Sequence, residues 1–283
     1  MRFKTGEEAR RRLRVLLRYP DSQFDLFEAA LCISWEDRGI DGRLQARRAL
    51  AQIADELHVR LAGLSAPRAI VAQINTLLFD ELGFRGNTWN YSDPENSFLD
   101  RVLEQRAGLP ISLSVLYIEL GQRLNLPIVG LALPGHFLVR YQVSDGEDLY
   151  IDPFNRGRFW TLDDCHRQIM NFYGSYSSDR VLNSMASPSK HSILGRMLRN
   201  LRGTYLERGN FERALATVER LMLAEPNNVA DLRDRGLLRA RLGHVYQALN
   251  DLDEYARLMP HAPDLGQLRQ QALSWAEQVG RAN

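Results

Sequence analysis

The sequence predicts an α+β protein in three parts: a helical N-terminal region, a core of one buried helix on a small antiparallel sheet, and an all-helical C-terminal repeat region. Three observations carry this reading. Apolar residues recur three and four apart through the N-terminal stretch, with Arg and Glu on the other faces, as in amphipathic helices. Between residues 79 and 158 an apolar helical pattern gives way to short β-rich runs. The C-terminal part aligns with itself at an offset of 34 residues.

Helices are expected over residues 7 to 18, 24 to 35, 42 to 63 and 66 to 82, the last two closing near a Gly that can take the left-handed cap conformation. The basic run Arg10 to Arg12 stands beside Glu7 and Glu8 and reads as a solvated helix face. A largely buried helix begins just after Gly108, with Pro110 in its first turn and Ile111, Leu113, Val115, Leu116, Leu120 and Leu124 as its apolar body. Strands are expected over 128 to 133, 136 to 143 and 149 to 151. The last two are joined by Ser144-Asp145-Gly146-Glu147, whose Asp-Gly pair is a tight hairpin signal.

At the offset of 34, Gly209 aligns with Gly243, Ala214 with Ala248, Leu215 with Leu249 and Pro226 with Pro260. The Gly marks a turn between two helices, the Ala lets them approach closely, and the Pro ends the second helix. Thirty-four residues is the tetratricopeptide period. Units run from 195 to 228 and from 229 to 262, and residues 264 to 279 read as a capping helix. This divides the chain into 1–190 and 191–283. Two units are fewer than the roughly three usually needed to stand alone, so the array is expected to pack against the preceding domain, with the Ser-rich segment 174 to 189 making turns.

Composition excludes several classes of function. At 283 residues the chain can bury a sizeable core without cross-links. Its 45% hydrophobic and 25% charged residues are those of a soluble globular protein. No window approaches the roughly 18 uninterrupted apolar residues of a membrane span, so no membrane association is predicted. Thirty-six Lys and Arg against 35 Asp and Glu leave a formal charge of +1, with no overall field that would recruit nucleic acid. Cys32 and Cys165 are far apart and lack partner His or Cys spacing, which argues against a disulfide framework or a structural zinc and for a cytoplasmic setting. The N-terminus becomes acidic at Glu7 and Glu8 without a small-residue cleavage site, and is read as mature protein.

The middle segment carries the chemistry. N-Y-S-D-P-E-N-S-F-L, G-L-P-I-S-L-S-V-L-Y, L-P-G-H-F-L-V-R and I-D-P-F-N-R-G-R follow one another in that order. A buried helix followed by strands bearing His and then Asp resembles the transglutaminase-like or papain-like cysteine hydrolase core. The four motifs together, followed by tetratricopeptide repeats, resemble the bacterial SirB1 family of transglutaminase-like proteins over nearly the whole chain. Related segments occur beside F-box modules in eukaryotic proteins, where the implied task is protein interaction. The resemblance makes His136 and Asp152 the catalytic or relic dyad. Physical reasoning agrees, because an imidazole at the start of one strand and a carboxylate at the end of the next can meet across a hairpin, and the carboxylate would then fix the imidazole tautomer.

In active members of the superfamily the helix opens with Gly, one residue, then Cys, and a Gly-hydrophobic-Pro segment closes the unit. Laying Gly108 and Pro127 on those markers puts Pro110 in the cysteine slot. Proline carries no nucleophile, and the order of the chain assigns neither Cys32 nor Cys165 to the role. Ser112 and Ser114 are the candidate hydroxyl substitutes, against which stands the usual capping role of a serine in a first helical turn. Asn87, Asn90, Tyr91, Asp93 and Asn96 form a polar cluster without the acidic register of a calcium loop, and read as an Asx-turn loop bracing the next helix. Asn96 and Pro110 are carried as candidate ligand-binding positions. The remaining histidines, including His191, lack ligand spacing, and no metal or cofactor is predicted.

Two functions are expected on these grounds. The first is a non-catalytic protein that binds a protein or peptide through its cleft or its repeat groove. The second is a hydrolase or acyl transferase in which His136 is the general base, Asp152 orients it, and Ser112 or a water attacks.

Overall fold

The computed structural model describes residues 2–174 and 184–282. The chain divides into two compact units, Met1–Ile193 and Leu194–Asn283. The part of the Ser-rich segment spanning 175–183 lies outside the described residues.

The first unit opens with α1 (Arg2–Leu16), α2 (Leu26–Arg38), α3 (Arg43–Arg60) and α4 (Pro67–Asn75). Asp25 starts α2 by accepting a hydrogen bond from the Glu28 amide at 2.8 Å, satisfying a donor that the helix itself leaves open. Pro67 stands at the head of α4, where its missing N–H costs nothing. The single helix expected over 66 to 82 is instead α4 followed by a π-helical turn, Thr76–Glu81. At that junction Asn75 looks outward to two other elements.

Short strands β1 (Arg85–Gly86) and β2 (Ala107–Gly108) pair in parallel, with a 3-10 turn (Pro94–Ser97) and α5 (Leu99–Gln105) between them. Next come α6 (Pro110–Arg123) and an antiparallel sheet of β3 (Ile128–Leu131), β4 (Leu138–Tyr141), β5 (Leu149–Asp152) and β6 (Arg158–Trp160), each paired with its neighbour in sequence. The α+β architecture is the one the sequence predicts. The short β6 is an addition that sequence reading did not supply, because residues 158 to 160 are exposed to half-buried and show no apolar alternation. Helix α7 (Leu162–Tyr173) starts with a reciprocal cap between Thr161 and Asp164 and packs Cys165 and Ile169 on Leu131, Leu133 and Leu138.

Asn75 ties α6 to the β5–β6 turn. Its Nδ2 donates to the Gly157 carbonyl at 2.9 Å, and its Oδ1 accepts from the Tyr117 hydroxyl at 3.0 Å. Gly157 donates its amide to the Asp152 carbonyl at 2.8 Å. A side chain at 157 is excluded twice over, by φ of 73° and by the Asn75 amide group, 2.4 Å from where Cβ would stand. Tyr117 is completely buried, and burial raises its phenol well above the ordinary value, so it stays a neutral donor. Tyr117→Phe is expected to lower stability by about 1 kcal/mol, measurable by urea unfolding, through loss of this bond and a stranded Asn75 acceptor.

The second unit continues α8 (Lys190–Glu207) into α9 (Phe211–Ala224), α10 (Ala230–Arg241), α11 (Val245–Leu258) and α12 (Leu265–Ala282). Gly209 and Gly243 turn between paired helices at φ of 67° and 80°, and Ala214 and Ala248 are fully buried. These are the tasks that the 34-residue pattern assigns to them.

Candidate functional site

The site is built on the β4–β5 pair. The L-P-G-H turn before β4 ends in His136, whose amide donates to the Leu133 carbonyl at 3.2 Å, and Asp152 closes β5. His136 Nε2 lies 2.8 Å from Asp152 Oδ2. The carboxylate is fully buried and the imidazole is 14% exposed, so the pair is anchored inside with one side of the ring towards the surface.

Asp152 holds more than the imidazole. Its Oδ1 accepts the amides of Phe154 at 3.1 Å and Asn155 at 3.2 Å, and its Oδ2 accepts Asn155 Nδ2 at 2.8 Å. The D-P-F-N sequence is thus an Asx turn, in which a carboxylate folds back on the amides that follow it. Burial by itself would push this carboxyl up, but the hydrogen bond and charge of His136 together with the Asn155 bonds outweigh it and hold the group below its ordinary range. An ionised Asp152 accepts the Nε2 proton, which orients the ring and fixes its tautomer.

Rings frame the imidazole. Trp160 stacks on it at 5.5 Å between centroids and 18° between planes, while Phe154 meets it edge-on at 6.3 Å. Tyr91 lies edge-on to Phe154 at 6.1 Å, so Tyr91, Phe154, His136 and Trp160 form a continuous row. Sequence reasoning missed Asn155, Phe154 and Trp160. The Asn three positions after Asp152 was an available Asx-turn signal, whereas the stacking of Trp160 depends on β6, which carries no pattern.

The other candidate residues have different surroundings. Pro110 is the first residue of α6 and is buried. Ser112 is fully buried, and its Oγ donates to the Asn96 carbonyl at 2.7 Å and accepts the Leu109 amide at 2.9 Å, a capping arrangement that engages its single proton. Ser114 Oγ donates to the Phe137 carbonyl at 3.3 Å, joining α6 to the residue after His136. Asn96 is fully buried: its Nδ2 donates to the carbonyls of Asn90 at 2.7 Å and Tyr91 at 3.2 Å, and its Oδ1 accepts from Asn87 Nδ2 at 2.9 Å. Asn96 therefore fixes the loop that carries Tyr91, and Asp93 accepts the Glu95 amide at 3.0 Å to start the following turn.

Both cysteines are buried, and burial pushes each thiol up to about 12, so at neutral pH they are protonated and poor nucleophiles. His191 is more engaged than its sequence context implied, stacking on Phe24 at 4.1 Å and lying 3.0 Å from Asp21. Among the described residues no group of three or more His, Cys, Asp or Glu side chains is arranged to hold a metal, and no helix is long and apolar enough to cross a membrane.

A family model described as the transglutaminase-like superfamily matches residues 44–199, and one described as tetratricopeptide repeat matches residues 201–272. A UPF0162 protein of Xylella fastidiosa is 41% identical over 201 residues, covering 70% of this chain and 71% of its own. A UPF0162 protein of Vibrio cholerae is 28% identical over 274 residues, 93% of this chain and 99% of its own. Protein SirB1 of Salmonella typhimurium is 29% identical over 197 residues, 69% of this chain and 72% of its own. No solved structure matches the chain.

Proposed function

This chain belongs to the transglutaminase-like superfamily, with SirB1 among its relatives, and we propose that it is a non-catalytic member that binds a protein or peptide segment at the His136–Asp152 cleft. The observation that carries the reading is an oriented dyad to which, among the described residues, no candidate nucleophile singled out by the sequence is supplied in an activated form. Pro110 occupies the head of α6, both thiols are buried and protonated, and the Ser112 hydroxyl is spent on a helix cap. Nucleophilic catalysis needs a base within reach of an attacking group whose own proton is free to leave. The row from Tyr91 to Trp160 offers instead the rigid aromatic area on which binding sites depend. The tetratricopeptide region supports a protein partner, and a cytoplasmic location belongs to the same reading.

A second reading keeps His136 as a base acting on water. It is favoured by the buried, ionised Asp152 and the tautomer it sets.

Three measurements on the whole 283-residue chain separate these readings. Native protein treated with iodoacetamide at neutral pH is expected to keep both thiols unmodified until it is unfolded, and to turn over a p-nitrophenyl ester no faster than its His136→Ala variant. Fluorescent heptapeptides from a mixed library are expected to be retained by immobilised protein, with retention falling about tenfold in that variant, equivalent to about 1.4 kcal/mol. Ester turnover that His136→Ala abolishes would replace the binding reading with the hydrolytic one.

A further inference from the structure

Trp160, which stacks on His136, also lines a cleft of ≈ 180 Å³ together with Arg158, Asp164, Arg167, Gln168 and Asn171. Its construction follows from two periodicities. Arg158 and Trp160 are two apart on β6 and so share one face of the sheet. Asp164, Arg167, Gln168 and Asn171 stand at the spacing that makes one stripe on α7. Gln168 Nε2 donates to the Pro134 carbonyl at 2.9 Å, which fixes the stripe to the turn that delivers His136.

Two guanidiniums and one carboxylate line the cleft, and the next carboxylate, Asp152, stands opposite Arg158 in the β5–β6 register and is taken up by His136 and Asn155. Asp164 is committed to the helix cap, its Oδ2 accepting the Thr161 amide at 2.8 Å and the Thr161 hydroxyl at 2.7 Å, while its Oδ1 accepts from Arg167. One carboxylate thus offsets one guanidinium. Arg158 is exposed on the edge strand and has no side-chain hydrogen bond or ion pair among the described residues. A guanidinium fork beside an aromatic face is suited to a carboxylate, which it can take through two parallel N–H donors.

We propose that this cleft is a subsite that takes an acidic side chain of the peptide engaged at His136. The inference rests on the peptide-binding reading above and deepens it. Trp160 links the two places, since its ring stacks on the imidazole at 5.5 Å between centroids and also lines the cleft.

The test uses the whole 283-residue chain and a positional-scanning library of N-acetylated, C-amidated, fluorescein-labelled heptapeptides, with the same peptides bearing a free C-terminal carboxylate as a second arm. Asp or Glu at one fixed position is expected to bind about tenfold better than Asn or Gln, as for a charge-assisted pair. Arg158→Gln should remove that preference, bringing the Asp and Glu peptides down to the level of their Asn and Gln counterparts, and Arg158→Lys should restore part of it. Asn171→Asp, which places a carboxylate in the cleft without touching Arg158, should also suppress the acidic preference. An acidic preference that survives Arg158→Gln, or wild-type binding with no such preference, overturns the subsite and leaves the peptide-binding reading standing. A preference confined to the free-carboxylate arm overturns the assignment to a side chain. Retention no greater than that of His136→Ala overturns both the subsite and the reading beneath it.

Discussion

Replacing Asp152 with Ala is expected to destabilise the protein by about 3 kcal/mol at pH 7, because a fully buried carboxylate that satisfies several donors cannot be removed without stranding them. The donors are His136 Nε2, Asn155 Nδ2 and the amides of Phe154 and Asn155. Asn155 is exposed and can recover water, which limits the loss. Asp152→Asn keeps the shape and one acceptor and should cost about half as much. The pH dependence follows from the depressed carboxyl of Asp152. Its stabilising contribution is complete above the unfolded-state value of about 3.9 and disappears as pH falls through the lower folded value. The difference between wild type and Asp152→Asn should therefore narrow below about pH 4. Urea midpoints at pH 7 and pH 3 measure both quantities. A constant difference across that range would mean that the folded carboxyl is not held below its unfolded value.

How far the site was legible depends on the range of the interactions that make it. The pairing of His136 with Asp152 could be read from L-P-G-H and I-D-P-F, since one precedes β4 and the other closes the adjacent antiparallel β5; the connection between those strands, residues 142–148, is longer than the tight Asp-Gly turn expected, and Gly146 does not take a positive φ. The repeat was legible too: Gly209 and Gly243 are demanded by turns, and Ala214 and Ala248 by close helix approach. The loop of asparagines was legible as a brace, and Asn96 does bond the Asn90 and Tyr91 carbonyls. Trp160 was not legible beside His136, because that stack depends on a three-residue edge strand without alternation. Asn75 was hidden too. Its two partners, Tyr117 and Gly157, are 42 and 82 positions away, and an Asn at the junction of α4 and the π-helical turn has no local pattern that announces such reach. Ser112 illustrates a conflict between two valid local rules, since a hydroxyl near a helix N-terminus can attack or cap. Its bonds to Asn96 and Leu109 give it the cap.

The second large effect is expected in the N-terminal helices, at Glu28. This α2 side chain is 2% exposed. Its Oε1 accepts from Arg12 Nε on α1 and from Arg43 on α3 at 2.9 Å, and its Oε2 accepts Arg47 Nε and a terminal Arg47 nitrogen at 3.0 and 2.6 Å. One carboxylate thus joins three helices. Burial pushes its carboxyl up, but the bonds and charge of Arg47, with those of Arg12 and Arg43, carry it below the ordinary Glu range. Arg12 and Arg47 are half-exposed while Arg43 is 19% exposed and lies over the Trp35 ring at 4.1 Å, so Arg43 loses most if the carboxylate goes. Glu28→Gln should cost about 2 to 3 kcal/mol and Glu28→Ala about 4, since removing one member of a buried ionic cluster leaves the rest uncompensated. Arg12→Gln should cost under about 1 kcal/mol, as for an exposed pair. Because the folded Glu28 carboxyl is depressed, its contribution is complete above about pH 4.3 and is lost as pH falls further, so the Glu28→Gln penalty should shrink in acid. Urea unfolding of the three variants at pH 7 and pH 3 tests the set. A Glu28→Gln shift no larger than that of Arg12→Gln would show that the arginines keep their water and that the helices are held together by their apolar faces alone.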